Sequence, residues 1–219
     1  MNENINKNDK LIILYNAGIK CARGIVKRLF LKKATGLLLV GKGVHISHGK
    51  HIWCGKNVKF EDFSEIHGLC QEGLKFGDNV TIGRGVMIRP SSYYGGDYGI
   101  GLTVGEHSSI GPHGYIGCSG RITIGKNVMI GPKCSLFAEN HIFSDTSSSI
   151  KSQGVEQKGI TIEDDCWIGS NVTILDGVTV GKGSVIGAGT LIAKDVPAGS
   201  VVVDRREKRL RNRYDMNCY

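Results

Sequence analysis

His141 lies in a short stretch, AENHIFSD (138–145), whose residue types could carry out proton transfer. An imidazole with an ordinary pKa near ~6.5 can take a proton from a weak acid such as a hydroxyl and return it to a leaving group. A positioned general base typically contributes about 10²–10⁴-fold to a rate. Glu139, Asn140 and Asp145 are candidates to orient the ring, as are backbone carbonyls. A lone histidine is also a common surface residue, so its chemistry depends on the elements that hold it.

The stretch from Ile162 to Pro197 divides into blocks of six residues, and each block opens with an aliphatic residue. A period of six fits neither a helix nor an alternating strand, and it is shorter than a leucine-rich repeat. It is typical of a chain that turns a corner after each short strand. Three such sides close a triangular coil, so residues 18 apart should stack about 4.8 Å from one another. The predicted pairs are Ile162 with Val180, Ile168 with Ile186, and Ile174 with Ile192.

The same period extends upstream, although less regularly. It opens at Val40, Ile46, Ile52 and Val58, blurs near residues 64–66, and returns at Phe76, Ile82, Ile88, Val104, Ile110, Ile116, Ile124, Ile130 and Leu136. Two connections, near 89–102 and 143–159, are longer than a coil requires. Both follow the third side of their coil, so we expect them to leave the prism along one edge. Loops on one edge of a solenoid often form its binding face, which makes this edge the predicted site.

These blocks resemble the hexapeptide-repeat acyltransferases, and the closer similarity is to the branch that O-acetylates sugars. The motifs that carry it are FAENHIFSD (137–145), QG (153–154) and KGITIEDDCWIGSNVTILDGVTVGKGSVIGAGTLIAKDVP (158–197). The resemblance implies an all-β, left-handed parallel β-helix that assembles as a homotrimer. It also implies that His141 is the catalytic base for transfer from acetyl-CoA, with no metal required. The expected acceptor is a sugar or a nucleotide- or lipid-linked saccharide, in the biosynthesis of a capsule, O-antigen or exopolysaccharide.

The resemblance also assigns cofactor-binding positions. They are Trp167, Gly169 and Ser170 near the thioester, Ala188, Ala193 and Lys194 further along, and Lys208 and Arg211 near the nucleotide phosphates. Trp167 could equally be a packing aromatic. Relatives usually follow the last coil with a segment that contains glycine and ends in Pro-Ala-Lys, whereas this chain has VVVDRREKRLRNRY (201–214). A short, basic, solvated C-terminal helix is the alternative for that tail.

The shorter insertion, RPSSYYGGDYGIGL (89–102), could contact the acceptor. Aromatic faces stack on the C–H faces of sugars, and carboxylates accept hydrogen bonds from hydroxyls. Tyr94 and Asp97, with Asn140 of the other insertion, are the predicted acceptor-binding residues. A loop rich in tyrosine and glycine is often only a turn, so that alternative stays open.

The sequence divides into an N-terminal helical segment (1–39), the β-helix (40–203) and a basic tail (204–219). From residue 10 to residue 39, basic residues recur three and four positions apart, and apolar residues lie largely on the other faces of the predicted helix. Such a helix could rest on an anionic membrane, or it could cap the solenoid or pack in an oligomer. We favour the cap or the oligomer contact over the membrane, because a solenoid needs its exposed end covered.

Composition narrows the class of protein further. The formal charge of +8 suits anionic partners such as nucleotide phosphates, and no feature indicates nucleic acid as the partner. Seven cysteines, an odd number without a CxxC pair, argue against a disulfide framework and suggest a reducing compartment. The opening MNENINKNDK is not typical of a signal peptide, so a cytoplasmic location is expected, with the inner face of the membrane as one place within it.

Two other activities remain open. Transfer to the amine of an amino sugar would use the same base. Some β-helices resemble γ-class carbonic anhydrases, in which three histidines hold zinc between subunits. His107 and His113 are six residues apart and should lie on different sides of the prism. A zinc site would therefore need a second subunit.

Overall fold

The computed structural model describes residues 5–90 and 98–205. Within these residues, one α-helix, Lys7–Arg28 (α1), precedes 24 short strands, and two 3₁₀ turns lie at Gly49–His51 and Ile150–Ser152. The strands are Lys33–Ala34 (β1), Leu38–Val40 (β2), His45–Ser47 (β3), Ile52–Cys54 (β4), Val58–Phe60 (β5), Glu65–His67 (β6), Leu74–Phe76 (β7), Thr81–Ile82 (β8), Met87–Arg89 (β9), Gly101–Val104 (β10), Ser109–Ile110 (β11), Tyr115–Gly117 (β12), Arg121–Ile124 (β13), Met129–Ile130 (β14), Ser135–Phe137 (β15), Asn140–His141 (β16), Val155–Glu156 (β17), Ile160–Ile162 (β18), Trp167–Ile168 (β19), Thr173–Ile174 (β20), Thr179–Val180 (β21), Val185–Ile186 (β22), Leu191–Ile192 (β23) and Val201–Val202 (β24).

Three parallel sheets form the faces of a prism. Face 1 has the order β1-β4-β7-β10-β13-β18-β21, face 2 the order β2-β5-β8-β11-β14-β19-β22-β24, and face 3 the order β3-β6-β9-β12-β15-β20-β23. The chain passes from face 1 to face 2 to face 3 and returns to face 1 one coil further on. We name the edges by the faces that they join, so that the 3/1 edge is where each coil ends. The expected all-β, left-handed parallel β-helix is confirmed.

The predicted stacking of the C-terminal coils is also confirmed. Ile162 pairs with Val180, Ile168 with Ile186, and Ile174 with Ile192. These side chains are buried in a narrow core that runs through the whole prism, because each coil adds inward apolar residues from every face. At the edges the backbone turns through the left-handed region, for which asparagine has little steric cost. Asn171, with φ of 56°, is one such residue.

The register between residues 46 and 66 differs from the prediction. Ile52 and Val58 were expected to open sides, but the columns continue through Cys54, Phe60 and Ile66. The 3₁₀ turn at Gly49–His51 adds two residues to the 3/1 edge and shifts the phase of the repeat. The expected residue and the observed residue of each column, such as Val58 and Phe60, are both buried and apolar. The sequence pattern therefore did not reveal the shift.

Helix α1 ends at Arg28, whereas the sequence pattern predicted an end near Leu39. Asn6 caps its first turn by accepting a hydrogen bond from the Asp9 backbone N–H at 2.8 Å. Beyond the helix, residues 33–40 already form the first strands, because they pair with the second coil. Gly24 is buried against the first strand of face 2, where an added Cβ would lie 1.8 Å from the Leu38 carbonyl oxygen. The helix therefore covers the N-terminal end of the solenoid.

The six cysteines within the described residues are free thiols, and five of them are buried. Burial raises the pKa of Cys54 to about 12 and that of Cys70 to about 11, so these groups act as small core side chains. None of the helices in the described part of the chain combines the length and apolar character needed to cross a bilayer. The expected C-terminal helix lies outside the described residues.

Candidate active site

The two long connections leave the prism at the same edge, as predicted. Strands β9 and β15 both belong to face 3 and are joined through β12, and the chain returns to face 1 at β10 and at β18. The longer connection occupies residues 138–159, so it begins five residues before the predicted position. It begins earlier because Asn140 and His141 form a strand of the insertion itself.

A two-stranded antiparallel hairpin carries His141. Strand β16 pairs with β17, so that His141 lies opposite Val155, and the Ile142 N–H donates to the Gly154 carbonyl at 3.1 Å. Gly154 has φ of 81°, a left-handed conformation that favours glycine. The QG pair at 153–154 is thus part of the turn that closes the hairpin.

Asp176 fastens the hairpin to the prism. Its carboxylate accepts hydrogen bonds from the backbone N–H groups of Lys158, at 2.9 and 3.0 Å, and Gly159, at 2.7 Å. Gly177 donates its N–H to the Gly159 carbonyl at 2.7 Å in return. Because Asp176 lies in the next coil at the 3/1 edge, this contact fixes where the insertion rejoins face 1.

The tip of the insertion is held by its own polar groups. Asp145 accepts hydrogen bonds from the Ser147 N–H, the Ser147 hydroxyl and the Ser148 hydroxyl at 2.6 to 2.8 Å. These hydrogen bonds, with that from the Ser147 hydroxyl the largest cause, lower the pKa of Asp145. The Gln153 side chain accepts from the Asp145 N–H at 3.0 Å and donates to the Asp145 carbonyl at 2.9 Å. Asp145 therefore organises the loop and does not contact His141.

A cleft of about 550 Å³ opens beside the hairpin. Its lining consists of Asn140, His141, Ile142, Phe143, Ser144 and Glu156. The His141 ring is exposed and has no hydrogen-bond partner within residues 5–90 and 98–205. Glu139, a second candidate to orient it, instead accepts a hydrogen bond from the Ser119 hydroxyl at 2.6 Å. Sequence reasoning did not single out Phe143, Ser144 or Glu156, although the first two belong to the motif itself.

The predicted cofactor-binding residues divide between two edges. Trp167, which is 54% exposed, lies in strand β19 of face 2, and Gly169, Ser170 and Ala188 lie at the 2/3 edge. Ala193 and Lys194 follow β23, so they lie at the 3/1 edge on the same side as the hairpin. A second groove of about 390 Å³ includes Ala193 and Lys194. Both edges border face 3, but a single chain does not bring the two sets together.

Gly169 has a structural reason to be glycine. A Cβ at this position would lie 2.7 Å from the Ala188 backbone nitrogen of the next coil. Its N–H donates to the Ile186 carbonyl at 2.8 Å, and its carbonyl accepts from the Cys134 thiol. The residue can therefore assist a ligand only by leaving space beside Ser170 and Ala188.

Four predicted site residues, Tyr94, Asp97, Lys208 and Arg211, lie outside the described residues. Asn140 lines the cleft with His141. His107 and His113 are at different edges, both with left-handed backbone, at φ of 61° and 59°. No group of three or more potential metal ligands occurs within residues 5–90 and 98–205.

Residues 159–194 match the family described as bacterial transferase hexapeptide (six repeats). The resemblance to the hexapeptide-repeat acyltransferases is confirmed. The matched residues are the coils from β18 to β23, together with the short turn that leads into them. They include six of the eight predicted cofactor-binding positions, from Trp167 to Lys194, while His141 lies just upstream.

Two curated relatives and one solved structure extend the comparison. A Schizosaccharomyces pombe protein named as a candidate acetyltransferase is 42% identical over 116 residues, 52% of this chain and 55% of that protein. Galactoside O-acetyltransferase of Escherichia coli is 34% identical over 123 residues, 56% and 58% of the two chains. The match thus spans just over half the length of these relatives. The crystal structure of AntD, an N-acyltransferase from Bacillus cereus, has a TM-score of 0.54 at 16% identity and covers 87% and 89%, which supports the fold alone.

Proposed function

We propose that this protein is an acetyl-CoA-dependent O-acetyltransferase that acts on a sugar hydroxyl with His141 as its general base. The observation that carries the proposal is the hairpin, which projects from the solenoid edge and presents the His141 ring to a cleft of about 550 Å³. The ring is exposed and makes no hydrogen bond within the described residues, so a substrate can reach it.

The reaction needs only one proton acceptor. The imidazole takes the acceptor hydroxyl proton while that oxygen forms a bond to the thioester carbonyl carbon. The C–S bond then breaks, and the imidazolium returns the proton to the departing thiolate, so that an acetyl ester and free CoA result. None of the buried cysteines suits a covalent intermediate, because burial raises the pKa of the thiols of Cys54, Cys118 and Cys134.

The division of the cofactor-binding residues supports a site completed by a second copy. His141, Ala193 and Lys194 lie at the 3/1 edge, whereas Ser170 lies at the 2/3 edge and Trp167 is on the adjoining strand of face 2. In a homotrimer with threefold symmetry, the 3/1 edge of one copy can face the 2/3 edge of the next. We propose this arrangement, in which CoA lies between two copies and each trimer has three sites.

The acceptor is proposed by similarity. The relative named galactoside O-acetyltransferase supports a saccharide hydroxyl, free or linked to a nucleotide or lipid. A role in the biosynthesis of a surface polysaccharide and a cytoplasmic location complete the proposal. Transfer to the amine of an amino sugar is the second candidate, because the same base would serve it.

The test is release of free thiol from acetyl-CoA with a panel of sugars, nucleotide sugars and amino sugars. His141→Asn should lower kcat by about 10²–10⁴-fold without a change in melting temperature. His107→Asn is the matched control, because His107 lies at the 1/2 edge and asparagine tolerates its left-handed backbone. Hydroxylamine cleaves ester products and spares amides, so it distinguishes the two acceptors. Full activity of His141→Asn, or no acceptor-dependent thiol release, would refute the proposal.

A further inference from the structure

Helix α1 has two unlike faces. The inner face packs on the first coil through Gly24, and Lys20 forms an ion pair with Glu61 of the second coil. The outer face carries Leu11, Leu14, Tyr15, Ile25 and Val26, and Leu29, the C-cap residue after Arg28, continues it; these six are 57 to 72% exposed. At about 100° per residue these six lie within an arc of about 120°. Capping the solenoid therefore accounts for the inner face of α1 only.

The positive charge of the chain is concentrated at the same end. Residues 1–50, which include α1 and the first coil, hold ten of the 28 Lys and Arg and two of the 20 Asp and Glu. The remaining residues hold 18 of each, so the whole formal charge of +8 belongs to the first 50 residues. Among the described residues, only the Lys20 ammonium at this end pairs with a carboxylate. The apolar outer face is thus bordered by basic groups whose charge is not neutralised.

We propose that α1 binds an anionic lipid bilayer, lying in the plane of the membrane with its outer face among the acyl chains. A wide apolar arc with basic residues beside it is the pattern of an interfacial helix, and anionic headgroups complement the charge. A contact between copies of this chain is less suited to the face, because it would bring the same basic ends together. The inference concerns a surface remote from the hairpin and does not depend on the proposed reaction.

The test is cosedimentation of the full-length protein with sucrose-loaded vesicles. We expect binding to phosphatidylcholine vesicles with 30% phosphatidylglycerol to exceed binding to pure phosphatidylcholine by at least about tenfold, and to fall when salt rises to 0.5 M. Leu29→Glu should reduce binding by at least about tenfold, because it places a carboxylate in the apolar arc. Val201→Glu is the matched control, since Val201 is also 72% exposed but lies in the last strand, at the far end of the solenoid.

A second pair of variants tests the charges. Arg23→Gln should weaken binding to the anionic vesicles and reduce its salt dependence, whereas Lys182→Gln, an exposed lysine in the last coils, should leave both unchanged. Light scattering reports the mass of every variant in solution. Loss of oligomers in Leu29→Glu would assign the outer face to a contact between copies and overturn the proposal. Equal binding to neutral and anionic vesicles, or none to either, would also overturn it. Thiol release without vesicles should be unaffected in all four variants, so the two proposals fail separately.

Discussion

Removing the carboxylate of Asp176 should release the hairpin that carries His141. In Asp176→Ala the backbone N–H groups of Lys158 and Gly159 lose their acceptor, and the rest of the coil is unchanged. The prism should stay folded, because the buried columns do not include Asp176. The expected effect is local: residues 138–159 open more often, and the imidazole spends less time in its cleft.

The size of the effect follows from the two donors. A hydrogen bond to a charged group contributes about 1.5–3 kcal/mol when buried, and solvent reduces this at a half-exposed site. We take about 2 kcal/mol for the pair of N–H groups. Since about 1.4 kcal/mol corresponds to a factor of ten, the population of the open insertion should rise about 30-fold.

Limited trypsin digestion measures that population. Lys151 is an exposed trypsin site within the insertion, so cleavage there should accelerate by about 30-fold in Asp176→Ala when opening is fast relative to cleavage. kcat should fall with the closed population, while acetyl-CoA affinity should change little. Asp164→Ala is the control, because Asp164 accepts one backbone N–H, from Lys126 at 2.7 Å, at the 1/2 edge.

Cleavage at Lys151 at the wild-type rate in Asp176→Ala would contradict the anchoring argument. An equal acceleration in Asp164→Ala would contradict it as well, because the effect would then be a general loss of stability. Asp176→Asn should give an intermediate rate, since the amide keeps one acceptor oxygen but places an NH₂ group toward the two backbone donors.

Two further predictions concern stability and pH. Gly18→Ala should raise the free energy of unfolding by about 1 kcal/mol, because Gly18 is in an exposed helix interior with open space at its Cβ. Gly24→Ala should lower the free energy of unfolding, because the new methyl would collide with the Leu38 carbonyl. Urea denaturation measures both changes. The carboxyl pKa of Asp145 is lowered in the folded loop. The ionised carboxylate therefore stabilises the loop fully above the unfolded pKa near ~3.9, and this stabilisation is lost as pH falls through the folded pKa. Hydrogen exchange at the Ser147 amide, corrected for intrinsic rates, should lose protection only below about pH 4 in wild type. If the Ser147 amide stays protected at every pH in Asp145→Asn, the carboxylate does not hold the loop and the prediction is wrong.

Periodicity was sufficient to predict the C-terminal coils, because the spacing of six continues there without an insertion, so that Ile162 and Ile168 stack on residues 18 positions later. It was insufficient between residues 46 and 66 for a physical reason. When both Val58 and Phe60 point into the core, two registers bury the same amount of apolar surface, and only the pairing with Ile82 distinguishes them. The end of α1 was misplaced for a related reason: the aliphatic residues of β2 suit a helix face and a strand equally well.

The motif identified His141 but not what holds it. Glu139 and Asp145 are close in sequence, yet one contacts Ser119 and the other contacts the serines of its own loop. The group that anchors the hairpin is Asp176, which lies 35 residues after the histidine and is adjacent only because the next coil returns to the same edge. Sequence proximity could not identify a contact that the solenoid itself creates.

Division of a site between two edges has a consequence for how such a solenoid can evolve a new acceptor. The coils that carry Trp167, Gly169 and Ser170 are fixed by stacking, since a Cβ at Gly169 already meets the Ala188 nitrogen of the next coil. The insertion that carries His141 replaces no strand of the prism, so its length and sequence can change without loss of a core column. If the proposed roles hold, the edge with the thioester contacts is constrained by folding, and the edge with the base is constrained by the acceptor. On this argument, exchange of residues 142–153 between relatives should alter acceptor preference in the thiol-release assay while acetyl-CoA affinity is retained.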